Sequence, residues 1–205
     1  MKIIAHRGND GVHKENTING VLNSLNKDCT DGVEFDIRIT KDNDFVLNHD
    51  PFYNGLFIKD TKTSKLKKSG LNTLTEVLEK INNQKILLIE IKEEDNNYKI
   101  LNDKLYKILK KYNLNYYICS FNYELLTDFR QKYPDIKLGL IIGVKKNTDK
   151  FNHNFDFSLV NYKHINKIKD EETFIWTVNE EKTFNMVKAN QGIITDYPEY
   201  IDSLI

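Results

Sequence analysis

Apolar and polar positions along the chain change period eight times. Short β-prone apolar runs cover Lys2–Ala5, Val33–Ile39, Ile86–Ile91, Tyr116–Cys119, Lys137–Ile142, Asp156–Val160, Thr173–Thr177 and Ile193–Thr195. Between them lie segments with helical spacing of apolar residues: Thr17–Leu25, Leu74–Ile81, Tyr98–Tyr112, Tyr123–Tyr133 and Glu180–Ala189, with shorter pieces near Thr148 and Ile165 and a tail from Tyr197. The two periods, 2 and 3.6, are the marks of strand and helix. Thr73-Leu-Thr-Glu76 has the spacing of a capping box, and Asn179 precedes Glu180 and Glu181 as a candidate cap. Eight β-then-α units predict a parallel sheet with right-handed crossovers, closed into a (β/α)8 TIM barrel of the α/β class. An open doubly wound sheet is the alternative that periodicity leaves standing. The average unit, about 26 residues, sits near the lower size limit for a barrel.

One stretch interrupts the rhythm. Residues 50–72 hold Pro51, Asn54-Gly55, the lysine-rich run Lys62–Lys68 and Gly70. They are expected to form an extended loop over the barrel mouth, where barrel active sites sit. Phe52, Tyr53, Leu56 and Phe57, followed by lysines, also offer a membrane contact, but covering the mouth is the favoured reading.

Composition narrows the partners. At 205 residues, 40% hydrophobic, and with no Pro/Gly/Ser-rich linker, the chain is expected to be one compact domain, 1–205. Thirty basic residues balance thirty acidic ones, so the basic excess of a nucleic-acid binder is missing and an anionic substrate needs a local cation. No apolar run reaches the roughly 18 residues of a membrane span, and the start of the chain turns polar too soon for a secretory h-region, so a cytoplasmic location is expected. Cys29 and Cys119 lack metal or disulfide spacing and read as reduced structural thiols.

Candidate chemistry lies at the C-terminal ends of predicted strands. His6-Arg7-Gly8 follows the first strand, joining a histidine that exchanges protons near neutral pH to a guanidinium that forks onto phosphate. In Gly32-Val-Glu34-Phe-Asp36-Ile-Arg38-Ile39 the charged residues share one face, about 6.7 Å apart along the strand. In a barrel covered on both sides, that face must turn inward, where paired carboxylates need a metal or counter-charge. His49 ends the apolar run Phe45-Val46-Leu47. Glu90 and Lys92 interrupt an otherwise apolar strand on one face, as an internal ion pair or as a ligand and a phosphate clamp. Asn16 and Thr17 are helix-capping candidates, Trp176 a wall of the barrel mouth, and His13, His153 and His164 surface or loop histidines without identifiable partners.

The order His-Arg-Gly, Glu-Asn-Thr, Glu-Phe-Asp, His-Asp, Thr-Leu-Thr-Glu-Val-Leu, Ile-Glu-Ile-Lys, Ser-Phe-Asn, Trp-Thr-Val-Asn and Thr-Asp-Tyr-Pro, from Ile3 to about Pro198, resembles the glycerophosphodiester phosphodiesterase family. The resemblance implies a TIM-type barrel that hydrolyses glycerophosphodiesters to glycerol 3-phosphate and an alcohol. By position, His6 and His49 match the acid/base pair, and Glu34, Asp36 and Glu90 the ligands of one divalent cation, Mg2+ or Ca2+. Arg7, Glu15, Asn16 and Lys92 match residues that organise the metal and phosphate region, and Trp176 the late-strand aromatic. The implied route runs through a cyclic glycerol phosphate that water then opens, with direct water attack as its rival. Three departures stand out: Lys14 replaces a usual proline, an arginine-threonine element after His49 is missing, and the stretch before Ile193 is short. A lysophospholipase D or sphingomyelinase D-like barrel acting on lipid phosphodiesters is the competing enzyme class, and a catalytically silent phosphodiester-binding barrel the non-enzymatic one.

Overall fold

The computed structural model describes residues 1–9, 11–92, 98–151, 153–168 and 172–205. Eight parallel strands close into a barrel: β1 (Lys2–Ala5), β2 (Gly32–Ile39), β6 (Ile86–Ile91), β7 (Tyr116–Ser120), β8 (Lys137–Ile142), β9 (Phe157–Asn161), β10 (Glu172–Trp176) and β11 (Gly192–Thr195). Pairing of β1 with both β11 and β2 shuts the ring, which settles the choice between a barrel and an open sheet. A further strand, β3 (Phe45–Leu47), lies antiparallel on β2. Helices α1 (Ile18–Asn26), α3 (Leu74–Leu78), α4 (Tyr98–Leu109), α5 (Tyr123–Lys132), α6 (Glu181–Phe184) and α7 (Pro198–Asp202) fall between or after the strands.

Residues 50–72 are richer in structure than a bare loop. They contain the hairpin β4 (Phe52–Tyr53) and β5 (Leu56–Phe57), a 3-10 turn over Ile58–Asp60, and α2 (Thr63–Lys68). Val46, Ile58, Leu66 and Leu71 form a small buried cluster beneath them, so apolar burial rather than backbone propensity holds this segment down. The segment near Thr148 forms turns instead of the expected helix, and α6 stops at Phe184, well short of Ala189. The expected box at Thr73 is present, with Glu76 N donating to Thr73 Oγ1 and Thr73 N to Glu76 Oε2. Among the described residues no helix is long and apolar enough to cross a membrane.

Strand alternation sorts the side chains into two cores. Val33, Phe35, Ile37, Leu87, Ile89 and Ile91 point outward and are buried beneath the helices. Ile4, Ile86, Leu88, Phe157, Leu159 and Phe174 point inward and fill the barrel. Gly139 makes room in that filling, because a Cβ there would lie 2.1 Å from the Phe157 ring. The inward series of each strand, continued to its C-terminal end, sets out the polar layer above this plug: Ile4 leads to His6, Leu88 to Glu90 and Lys92, Phe174 to Trp176, and Ile194 to Asp196.

Candidate active site

Glu34 and Asp36 stand on the inner face of β2, only 3% and 1% exposed, and Asp36 is the register neighbour of Glu90 on β6. Carboxylate oxygens of Glu34, Asp36 and Glu90 all lie within 4.8 Å of one another. Cationic compensation is uneven. Lys92 Nζ sits 2.6 Å from Glu90 Oε1 and 3.2 Å from Asp36 Oδ1, and Arg7 Nε is 3.6 Å from Asp36 Oδ2. Asn16 clasps Asp36 from both sides, donating through Nδ2 to Oδ2 at 2.9 Å and accepting the Asp36 N–H at 2.9 Å. Among the described residues Glu34 receives only the Arg7 N–H, at 2.8 Å, and its Oε1 is buried without a hydrogen bond. The Oε1 of Glu90 is held among the described residues by Lys92 alone, at 2.6 Å.

These differences set the ionisation of the three acids. Burial, then the neighbouring charges of Asp36 and Glu90, pushes Glu34 well above the usual carboxylate range. Burial and Asp36 likewise outweigh Lys92 at Glu90, whose pKa is raised to about 7. At Asp36 burial is again the largest single influence, but Lys92, Asn16 and Arg7 together overcome it and hold the group below its ordinary value. Two buried carboxyls with raised pKa, one of them with an unpartnered oxygen, converge on a third, and among the described residues this cluster offers oxygen donors alone, which suits a hard divalent cation.

The backbone after β1 is bent to serve this cluster. Arg7 adopts a left-handed conformation (φ 54°), with its N–H on Glu34 and its carbonyl accepting from Asn16 N at 2.8 Å. Gly8 (φ 64°) then runs so close to α1 that a Cβ would lie 2.9 Å from Val21 N. A side chain at that position would push the turn off the helix. The Arg7 guanidinium donates to Glu15 at 3.2 and 3.3 Å, which ties the two ends of the loop together.

His6 and His49 line the same cavity of about 240 Å³ as Glu34, Glu90, Lys92 and Arg7. The His6 Nε2 is 4.0 Å from Glu34 Oε2. Each imidazole is gripped through Nδ1 by a carboxylate at 2.8 Å, His6 by Asp196 and His49 by Asp50. The His6 bond lowers Asp196 against the opposing effect of its burial, and the His49 bond lowers Asp50. Both acids are thus ionised acceptors, which places the proton on Nδ1 and leaves Nε2 free to exchange one. Burial, followed by Lys92, pulls His49 below its usual value despite the Asp50 bond. Arg38 fixes the base of the His49 loop by donating to its carbonyl from Nε at 2.9 Å and from Nη2 at 2.6 Å. The remaining wall is apolar: Phe121, Ile141, Leu159, Trp176 and Ile194.

The sequence-predicted residues therefore converge: His6, Arg7, Glu34, His49, Glu90, Lys92 and Trp176 share the cavity, Asp36 lies against it through Lys92, and Glu15 and Asn16 brace Arg7 and Asp36. Asp196 was not singled out from sequence, although its place two residues beyond the inward Ile194 could have revealed it. Asn179, expected to cap α6, does something else. Its Nδ2 donates to Asp196 Oδ2 at 2.6 Å, and its Oδ1 accepts from Asp196 N at 2.9 Å, leaving Glu180 as the helix N-cap without a side-chain bond. His153 is not a surface residue: it is 7% exposed, bonded to Ser158 Oγ through Nε2 at 2.8 Å and accepting from Phe155 N through Nδ1. His164 also has a partner, the Val144 carbonyl at 3.1 Å.

Residues 6–200 match the model of the glycerophosphoryl diester phosphodiesterase family. The chain belongs to the glycerophosphodiester phosphodiesterase family. Its relatives include a glycerophosphodiester phosphodiesterase from Caldanaerobacter subterraneus subsp. tengcongensis, 31% identical over 99% of this chain and 97% of that protein. Among solved structures, a glycerophosphodiester phosphodiesterase from Thermotoga maritima superposes with a TM-score of 0.82 at 26% identity, covering 99% of this chain and 97% of the other. An Oleispira antarctica phosphodiesterase, crystallised with the product sn-glycerol-3-phosphate, shares the fold with a TM-score of 0.82 at 22% identity and coverage of 99% and 96%. This glycerophosphodiester phosphodiesterase is accordingly an enzyme of the phosphoric diester hydrolase class, in agreement with its motifs.

Proposed function

We propose that this glycerophosphodiester phosphodiesterase releases an alcohol and glycerol 3-phosphate by paired imidazole catalysis at a cation-dependent site. The observation that carries the reading is the juxtaposition, in one cavity, of the buried Glu34–Asp36–Glu90 cluster with the two carboxylate-anchored histidines. Glu34, Asp36 and Glu90 would hold one divalent ion, Mg2+ or Ca2+, and such an ion supplies neutralisation of the phosphodiester charge and a lowered pKa for an oxygen bound to it.

The protein's own groups account for the rest. Arg7 and Lys92 face the cavity as cations for the non-bridging phosphate oxygens, where charge grows in the transition state. One imidazole takes the proton of the substrate glycerol's 2-hydroxyl through its free Nε2 as that oxygen attacks phosphorus. The other gives a proton from Nε2 to the departing alcohol oxygen as the P–O bond breaks. The resulting cyclic glycerol phosphate is then opened by water, with the two imidazoles exchanging roles. Asp196 and Asp50 keep both rings in the tautomer this sequence needs, and each stabilises an imidazolium when it forms.

Phosphorus NMR of sn-glycero-3-phosphocholine hydrolysis, with Mg2+ or Ca2+ and then with excess chelator, tests the proposal. Conversion to glycerol 3-phosphate through a transient cyclic phosphate signal, stopped by chelator, is expected. Hydrolysis that continues unchanged in chelator rules out the cation site, and hydrolysis without any cyclic signal under rapid-quench sampling favours direct water attack.

A further inference from the structure

The catalytic cavity does not end at its aromatic wall. Phe121 and Trp176, whose rings meet edge to face with centroids 6.1 Å apart, border it on one side and a second depression of about 370 Å³ on the other. The second space is completed by Gly143, Val144, Lys145 and Lys146, from the segment that follows β8. A depression of this size falls within the roughly 300–1,000 Å³ of ligand pockets.

The β8 segment is pinned rather than loose. Gly143 N donates to the Lys146 carbonyl at 3.0 Å, closing a tight turn. The next residue, Asn147, spends both of its amide protons on the carbonyls of Phe121 and Ile141, each at 2.9 Å, and the Val144 carbonyl accepts from His164. A turn held at four carbonyls presents its side chains in a fixed place, the condition for a subsite that does not have to be ordered on binding. Lys146 Nζ lies 5.4 Å from the centre of the Phe121 ring. Neither Lys145 nor Lys146 has an ion-pair partner among the described residues, and no acidic residue lines the depression.

We infer that this depression is the leaving-group subsite, and that it selects glycerophosphodiesters whose alcohol carries an anionic group of its own, such as a phosphomonoester. The inference rests on the reaction proposed above. Carbon-bound faces of a polyol lie on the Phe121–Trp176 edge and on Val144, while the distal anion meets the two ammonium groups. A quaternary ammonium alcohol gains nothing from this lining and is repelled by both lysines.

The test compares three substrates with the cation-loaded enzyme: sn-glycero-3-phosphoinositol, the same compound bearing a 4-phosphate, and sn-glycero-3-phosphocholine. The wild-type protein should prefer the 4-phosphate over plain phosphoinositol. In the double variant Lys145→Ala, Lys146→Ala that ratio of kcat/KM should fall roughly five- to ten-fold through KM, the scale of two exposed ion pairs, and Lys145→Arg, Lys146→Arg should restore it. Absence of a preference in the wild type, or an equal KM rise for all three substrates in the double variant, overturns the inference while leaving the reaction standing. If no substrate is cleaved, calorimetric binding of the 4-phosphate compound decides. Binding lost with the lysines keeps the subsite and discards the reaction; binding indifferent to them discards the subsite.

Discussion

Replacing Glu90 by glutamine should make the cation-free protein more stable above neutral pH. In the fold, burial and the charge of Asp36 raise the Glu90 carboxyl from 4.5 to about 7. Below pH 4.5 the group is protonated in both folded and unfolded chains and contributes nothing. Between 4.5 and 7 the folded protein binds more protons than the unfolded chain, so stability falls as pH rises. Above 7 both are ionised and the full penalty stands. At roughly 1.4 kcal/mol per pH unit the rise corresponds to about 3 kcal/mol. Glutamine keeps the shape without the charge, and Lys92 retains Asp36 at 3.2 Å. Urea unfolding in excess chelator at pH 8 should therefore show the variant more stable by about 3 kcal/mol, with the gap closing toward pH 4.5. Excess Mg2+ or Ca2+ should then reverse the order, because the ion stabilises the wild type by mass action, about 4.1 kcal/mol at a thousand times its Kd, and the variant much less. A variant no more stable than wild type in chelator at pH 8 would refute the electrostatic account of the cluster.

Three further outcomes follow from the same geometry. Asp196→Asn removes the ionised partner of His6 Nδ1 and should lower kcat by about 10²- to 10⁴-fold with the fold intact, checked by steady-state kinetics and circular dichroism; an unchanged kcat detaches Asp196 from the chemistry. His6→Ala and His49→Ala should each cost about 10² to 10⁴ in rate, and because burial and Lys92 pull His49 down, the pH–rate limb lost in His49→Ala should lie below about 6.5. Gly139→Ala drives a methyl into the Phe157 ring at 2.1 Å and should destabilise the barrel by about 1–3 kcal/mol in thermal or urea unfolding without altering the residues of the site.

The legible parts of this protein are those with a period. Strand bounds such as Lys2–Ala5, Ile86–Ile91 and Lys137–Ile142 coincide with the observed strands because apolar alternation and burial report the same thing. The inward turn of Glu34, Asp36 and Glu90 was readable for the same reason: a charged residue every second position in a strand covered on both faces has nowhere else to go. Segments governed by individual long-range bonds were not readable. The roles of Asn179 and Asp196 depend on a contact between β10 and β11 side-chain ends seventeen residues apart, and helix-capping statistics assign Asn179 elsewhere. The shape of residues 50–72 depends on the satellite cluster around Ile58 and Leu66, which no local pattern announces. His153 reads as an exposed, partnerless loop histidine because its partner, Ser158, lies on the following strand and not in its own motif; the loop is there, but the side chain is buried.

Titration with Mn2+ puts the central claim to its most direct trial. If Glu34, Asp36 and Glu90 share one ion beside both catalytic imidazoles, one Mn2+ should bind per chain by calorimetry. The proton NMR signals of His6 and His49 should broaden first and most strongly, ahead of those of His153 and His164, and Asp36→Asn should abolish both effects. Broadening of only one of the two imidazoles, or binding that survives the loss of the carboxylate, would contradict the account.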